Sequence, residues 1–284
     1  VTHDDALLSL QVSVDYRNHS GVLHDLSLAI ARGEILGLVG QSGSGKSTLA
    51  LAILRLLHLK GGAVRGEIRF KGEDLLQRDE AGMRSLRGRE ISIVLQSPLS
   101  SLNPVLRIGS QLEEAWRAHV SGPKQQCEAV IRSVLRSVSL PDGLEFLRRR
   151  PSQLSVGQAQ RVIIAMAVLH RPSLLIADEA TSALDTITQS EILKLFAQLN
   201  RQLEMGILYI SHDLLSVAAL CHRIAILEGG TIVECGPSEQ VFGAPRHPYT
   251  QKLVAALPRK PFRASHAQEA FPGAPELSPQ NVLS

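Results

Sequence analysis

Along residues 7–14, Leu7-Leu8-Ser9-Leu10-Gln11-Val12-Ser13-Val14, apolar and polar side chains alternate with the two-residue period of a strand that buries one face. Val22 to Ile30 repeats the pattern before the turn-forming Ala31-Arg32-Gly33-Glu34, so the chain opens with a small antiparallel sheet. The signal then changes. Leu36-Gly37-Leu38-Val39, Ile91 to Leu95, Leu174 to Ala177 and Ile207 to Ile210 are short apolar runs, the mark of strands covered on both sides. Helical spacing runs from Leu49 to Leu59, Gly61-Gly62 breaks it, and a strand follows at Gly66 to Phe70. An amphipathic helix from about Ile187 to Leu203 separates the last two apolar runs and makes a β-α-β unit. Residues 97–170 are mostly helical in pattern, punctuated by Pro98, Pro104, Pro123, Pro141 and Pro151, and predict a helical insert. Ile224 to Leu227 and Thr231 to Glu234 flank Glu228-Gly229-Gly230, a hairpin signal. From Pro258 onward periodicity disappears, which predicts a loosely packed tail over 258–284.

Composition narrows the class without naming a function. No apolar run is long enough to cross a bilayer; the longest, Val162 to Leu169, is bounded by Arg161 and His170. The first residues, Val1-Thr2-His3-Asp4-Asp5, carry acid where a secretory signal carries base, so export is not expected. Cys127, Cys221 and Cys235 are odd in number and lack a C-x-x-C spacing, which fits reduced thiols better than a disulfide frame or a zinc site. A formal charge of +3 calls for no nucleic-acid partner, and the basic clusters at Arg84 to Arg89, Arg148 to Arg150 and Arg259 to Arg263 read as solvated faces.

The chemistry starts at Gly40-Gln41-Ser42-Gly43-Ser44-Gly45-Lys46-Ser47-Thr48, set between an apolar strand and a helix. Gly40, Gly43 and Gly45 let backbone N–H groups, with Ser42 and Thr48, turn inward on a polyanion. The Lys46 ammonium reaches terminal phosphates, and the Ser47 hydroxyl can complete the coordination of Mg²⁺. Leu174-Leu175-Ile176-Ala177 then ends in Asp178 and Glu179, two carboxylates at the carboxyl end of a buried strand, where α/β sheets bind ligands. Asp178 suits a Mg²⁺ site, and Glu179 is placed to polarise an attacking water. Ser155 and Gly157 precede a helix beginning near Gln158, which makes a second anion site at a helix amino terminus. Gln96 and His212 each follow an apolar strand, where the amide can touch Mg²⁺ or water and the imidazole can bond a γ-phosphate.

Read together and in order, these pieces resemble the nucleotide-binding subunit of ATP-binding-cassette transporters. Gln96 falls at the glutamine loop, Leu154-Ser155-Val156-Gly157-Gln158 at the signature, Ser182-Ala183-Leu184-Asp185 at the D-loop and His212 at the switch histidine. The resemblance covers nearly everything from Leu7 to about Pro258 and implies a cassette domain over 5–257. Its fold would be α/β, a P-loop NTPase (RecA-like) core with an antiparallel β subdomain and a helical signature subdomain at about 97–170. It implies ATP and Mg²⁺ as cofactors, Tyr16 as the aromatic that stacks on adenine, and a head-to-tail dimer whose signatures close over the partner's phosphates.

Gln96-Ser97-Pro98-Leu99-Ser100-Ser101-Leu102-Asn103-Pro104 and His247-Pro248-Tyr249-Thr250-Gln251 resemble the branch that energises uptake of peptides and nickel. That branch implies a second cassette subunit, two membrane permeases, an extracytoplasmic solute-binding protein, and a place on the cytoplasmic face of the membrane. A patch such as Leu99, Leu102 and Val105 would suit the permease helix that this branch implies, with core packing of the insert as the alternative for the same side chains. Two residues depart from the pattern. Val156 replaces the first signature glycine, and a β-branched residue resists positive φ. Ala180 stands where proline is common, which removes no reacting group. A cassette acting as a regulatory binding module, or in DNA repair or translation, is the rival reading; the long coiled-coil or zinc insert of the repair type is missing from this sequence.

Overall fold

The computed structural model describes residues 6–17 and 19–257. The amino-terminal alternation becomes β1 (Leu8–Tyr16), flanked by β2 (His19–Ile30) and β4 (Gly62–Phe70), both antiparallel to it, with the two-residue β5 (Glu73–Asp74) at the edge. The apolar runs become β3 (Ile35–Val39), β6 (Ile91–Val94), β7 (Leu174–Asp178), β8 (Gly206–Ser211) and β9 (Arg223–Glu228), all parallel. With β10 (Thr231–Pro237) antiparallel on β9, the second sheet reads β10-β9-β3-β8-β7-β6. Parallel neighbours need crossovers, and helices supply them. Helix α1 (Lys46–Ile53) leaves the carboxyl end of β3, and α2 (Glu80–Leu86) precedes β6. Helices α3 (Pro98–Ser101), α4 (Ile108–Arg117), α5 (Lys124–Ser137), α6 (Leu144–Arg148) and α7 (Val156–Val168) form the insert between β6 and β7. Helix α8 (Thr186–Leu203) joins β7 to β8, α9 (Leu214–Leu220) joins β8 to β9, and α10 (Ser238–Gly243) and α11 (Pro248–Ala255) follow the sheet.

Strand alternation sorts the interior into two cores. Leu36 and Leu38, Leu174 and Ile176, and Leu208 and Ile210 face α1 and the antiparallel sheet; their neighbours Val39, Leu175, Ala177, Ile207 and Tyr209 face the helical insert and α8. Each central strand is thus buried on both sides, which is why its sequence shows no polar alternation. Truncating one such side chain, Ile176→Ala for example, costs about 2–5 kcal/mol. The insert joins the second core through residues one turn apart, Ile108, Leu112 and Trp116 of α4 with Ile131 and Leu135 of α5.

Three local expectations change. Helical spacing predicts a helix to Leu59, yet α1 stops at Ile53: Arg55 takes φ +51° and its guanidinium bonds the carbonyls of Leu75 and Arg78, so a tertiary contact overrides the local period. A 3₁₀ turn, Leu57–Lys60, fills the rest. β4 starts at Gly62 rather than Gly66, because pairing with β1 continues through the glycine. Leu102 is buried in the second core, not exposed beside Leu99 and Val105. The tail expected from Pro258 lies outside the described residues.

Candidate functional site

The loop from β3 to α1 is shaped by close approaches. A Cβ on Gly40 would stand 2.3 Å from the Leu227 carbonyl oxygen, and Gly45, at φ +105°, would place one 2.5 Å from Leu23. A side chain at Gly40 would have to displace backbone, and one at Gly45 would be strained by the positive φ and would displace the Leu23 side chain. Lys46, 5% exposed, turns its Nζ back to donate to the carbonyls of Gly40 (2.8 Å) and Gln41 (2.9 Å). Burial pulls its pKa below the ordinary lysine value, against the opposing pull of Glu179 and Asp178. Ser44 Oγ is buried in the same loop with no hydrogen-bond partner. A buried ammonium held only by carbonyls and an orphaned hydroxyl fit a cradle that takes phosphate oxygens.

β7 delivers the carboxylates to this loop. Asp178, its last residue, accepts a hydrogen bond from Ser47 Oγ at 3.2 Å. Burial pushes the Asp178 carboxyl above its usual range and the Glu179 charge adds to this, while Ser47 and Lys46 oppose it. Two adjoining half-buried carboxylates, one of them bonded to a serine hydroxyl, form a donor set suited to Mg²⁺. Glu179 leaves the strand with φ +50°, an uncommon conformation for a residue with a side chain, and its N–H is tied to the Ile210 carbonyl at 2.9 Å. That turn aims Glu179 Oε1 to within 3.4 Å of His212 Nδ1. Gln96 lies two residues past Val94, which pairs with Ala177, so it sits at the same sheet edge, exposed. Tyr16 reaches α1 from the other sheet, its hydroxyl 3.3 Å from Thr48 Oγ1. Gly43 and Ser42 are exposed on the loop.

The signature residues cap helices rather than bond the phosphate loop. Ser155 caps α7 by accepting from the Gln158 N–H, and Gln158 Oε1 accepts in turn from the Ser155 N–H, each at 3.2 Å. Asp185 caps α8, accepting from the N–H groups of Ile187 and Thr188 and from Thr188 Oγ1. The bonds from Thr188 hold the Asp185 carboxyl below its usual pKa. None of these hydrogen bonds reaches residues 40–48. Gly157 packs on α8, where a Cβ would meet Thr188 Cγ2 at 2.8 Å. Val156 is the first residue of α7 and is not among the residues of positive φ, so the backbone strain expected of a β-branched residue there does not arise. Its side chain is 42% exposed.

A buried polar network beneath Glu179 and His212 escapes the sequence reading. Tyr209 on β8 bonds Thr181 (2.9 Å) and Ser216 (3.2 Å), and Ser211 bonds the Asp213 N–H at 3.0 Å. Asp213 also accepts from Gln189 at 2.8 Å, tying α9 to α8. The available signal was a tyrosine in an otherwise apolar strand, since a buried phenol needs partners.

Comparison with known proteins gives this geometry a family. The chain is 42% identical over 243 residues to the glutathione import ATP-binding protein GsiA of Escherichia coli O157:H7, covering 84% of the chain and 39% of that protein. The GsiA of Salmonella paratyphi A is 41% identical over 251 residues, covering 86% and 40%. The chain therefore spans about two fifths of the length of the curated relatives it matches. Among solved structures, cbiO1 from Clostridium perfringens, part of the ABC transporter complex cbiONQ, superposes with a TM-score of 0.75 at 25% identity, covering 90% of this chain and 97% of that one. The ATP-binding cassette MJ0796, a dimer in a post-hydrolysis state bound to ADP and Pi, gives 0.69 at 26% identity over 81% and 98%. Residues 233–280 match the oligopeptide/dipeptide transporter C-terminal region. Residues 23–182, more than half of the chain, match the ABC transporter family model, and with the cassette fold around the phosphate loop the chain belongs to that family.

Proposed function

We propose that the chain is the ATP-binding and hydrolysing subunit of an importer, powering uptake of peptides through partner permeases. The observation that carries this reading is the junction of β7 with the phosphate loop: Ser47 on Asp178, with Glu179 and His212 paired one step beyond. Bound MgATP would supply an electrophilic γ-phosphoryl group and a cation that neutralises its charge. Lys46 turns from the Gly40 and Gln41 carbonyls to phosphate oxygens, and Ser47, Asp178 and Gln96 are the residues that would hold Mg²⁺. Glu179 polarises the attacking water, and His212 holds the carboxylate's orientation and bonds the γ-phosphate.

The second half of the site comes from another copy or a paralogue. Ser155 and Val156 begin α7 with exposed side chains, and Val156, Ile187 and Leu215 are exposed apolar residues near the signature, the D-loop and His212, as suits a face that closes on a partner. Permease docking falls on the groove of about 330 Å³ between the sheet and the insert, lined by Leu54, Leu56, Leu95, Ile163 and Met166, with Leu99 and Val105 exposed nearby. No helix among the described residues is long and apolar enough to cross a membrane. The relatives' name as glutathione import proteins, glutathione being a short peptide, and the match of residues 233–280 support peptide cargo; an extracytoplasmic solute-binding protein that delivers it is part of the proposal.

The test is Glu179→Gln. ATP binding should persist while turnover falls by about 10²–10⁴, the usual contribution of a positioned general base. Steady-state rates comparable to wild type would remove Glu179 from the mechanism.

A further inference from the structure

Gly61 and Gly62 interrupt the helical spacing of the sequence, and the structure gives each a different reason to lack a side chain. Gly61 takes φ +70° after the 3₁₀ turn Leu57–Lys60, a left-handed conformation that a side chain disfavours, and its carbonyl accepts from the Arg17 N–H at 3.3 Å. A Cβ there would meet only Arg17, in ordinary contact at 3.7 Å. Gly62 is not among the residues of positive φ, so space rather than conformation sets it apart. It is the first residue of β4 and pairs directly with Tyr16, the last of β1, which puts both side-chain positions on one face of the sheet. A Cβ on Gly62 would stand 2.9 Å from Tyr16 Cε1, 3.1 Å from Tyr16 Cδ1 and 3.3 Å from Leu57 Cβ. The tyrosine ring fills the volume that a side chain would take.

The far end of the ring meets α1. Tyr16 Oη lies 3.3 Å from Thr48 Oγ1, so the phenol spans from the start of β4 to the first turn of the phosphate-loop helix. Leu57, 3% exposed, bounds the same space, which leaves the half-buried ring as the group that must yield to a side chain. Its edge would have to move by about half an ångström to regain ordinary contact, away from the position that Thr48 sets. We infer that Gly62 is a specificity-determining residue for the nucleotide base: its missing side chain seats the Tyr16 ring where adenine stacks. Gly62 lies in the antiparallel sheet, apart from the carboxylates at the end of β7. Its effect therefore belongs to recognition of the base and not to the attack of water.

This inference rests on the proposal that the loop binds ATP with Tyr16 at the base. The test titrates the full chain with MgATP and with magnesium triphosphate, which carries the phosphates without a base, and follows the Tm of each variant. Tyr16→Ala and Gly62→Ala should each raise the MgATP Kd by about two- to tenfold, the scale of one aromatic stacking contact, and leave the triphosphate Kd unchanged. KM for ATP should rise with Kd while kcat stays within about twofold. In the Tyr16→Ala background the obstructing ring is gone, so adding Gly62→Ala should raise the ratio of the two Kd values no further, and stability lost in Gly62→Ala should return. Gly61→Ala is the structural control: strain at its φ lowers Tm, while the ratio stays at the wild-type value. A wild-type ratio in Gly62→Ala, equal weakening of both ligands, or a double variant in which the two losses add in full or stability does not return would overturn the inference. Wild-type affinity in Tyr16→Ala would sink the stacking role of Tyr16 and the inference with it. Failure of wild type to bind either ligand would instead sink the ATPase reading beneath both.

Discussion

Gly157 gives the sharpest test of why a glycine stands in the signature. A methyl group added there would approach Thr188 Cγ2 to 2.8 Å, and something must move by more than half an ångström to restore ordinary contact. Thr188 cannot swing away freely, because its hydroxyl donates to Asp185 Oδ2 at 2.7 Å and its N–H to Oδ1 at 3.0 Å. Overpacking of this kind costs about 1–3 kcal/mol. For a domain of this size, each kcal/mol lowers Tm by about 2–4 °C. Gly157→Ala should therefore lower Tm by several degrees in thermal unfolding without nucleotide. The double variant Gly157→Ala with Thr188→Ser removes the obstructing methyl and keeps the bond to Asp185, and it should recover most of the loss. Wild-type stability in Gly157→Ala, or no recovery in the double variant, would refute the packing argument. ATPase activity of the double variant adds a second reading: if stability returns and turnover does not, the missing Cβ also serves a phosphate brought by a partner.

Other outcomes follow from the same geometry. Asp178→Asn should raise the Tm of the nucleotide-free protein while abolishing MgATP hydrolysis, because burial makes the charged carboxylate costly in the absence of a cation. The folded-state pKa of Asp178 lies above its unfolded value, so the stability tied to its proton is full below the unfolded pKa and is lost as pH rises through the folded one. The Asn variant should lose that component of the wild-type pH profile, and an unaltered profile would contradict it. Tyr209→Phe leaves Thr181 and Ser216 without a shared partner and should cost about 1–3 kcal/mol in chemical denaturation, with slower turnover from a loosened Glu179 loop. Equal stability would show the network to be dispensable. Tyr16→Ala should weaken ATP binding by about two- to tenfold, the scale of one aromatic stacking contact; unchanged affinity would leave Tyr16 as a packing residue on Thr48.

Much of this fold is legible because its central strands are buried on both faces and announce themselves as unbroken apolar runs. Both anchors of the site were equally plain, since the phosphate loop and Asp178-Glu179 lie at the ends of two such runs and parallel pairing brings strand ends together. What escaped depends on contacts between distant segments. The end of α1 is set by Arg55 reaching the Leu75 and Arg78 carbonyls, which no local period encodes. Leu102 could be read either as part of a docking patch with Leu99 and Val105 or as core, and α3 packing on α7 makes it core. Val156 looked strained by analogy with glycine, whereas capping by Ser155 places it in the first turn of α7.

The account stands on two copies sharing each nucleotide, and complementation between inactive variants probes this most directly. Lys46→Ala disables a copy's own phosphate loop, and Ser155→Arg disables only the surface it offers to a partner. If the lid comes from the other copy, an equal mixture of the two inactive proteins should regain about a quarter of wild-type ATPase activity, half of the pairs being mixed and each holding one intact site. A mixture no more active than its separate components, with exchange of subunits verified, would contradict the shared site.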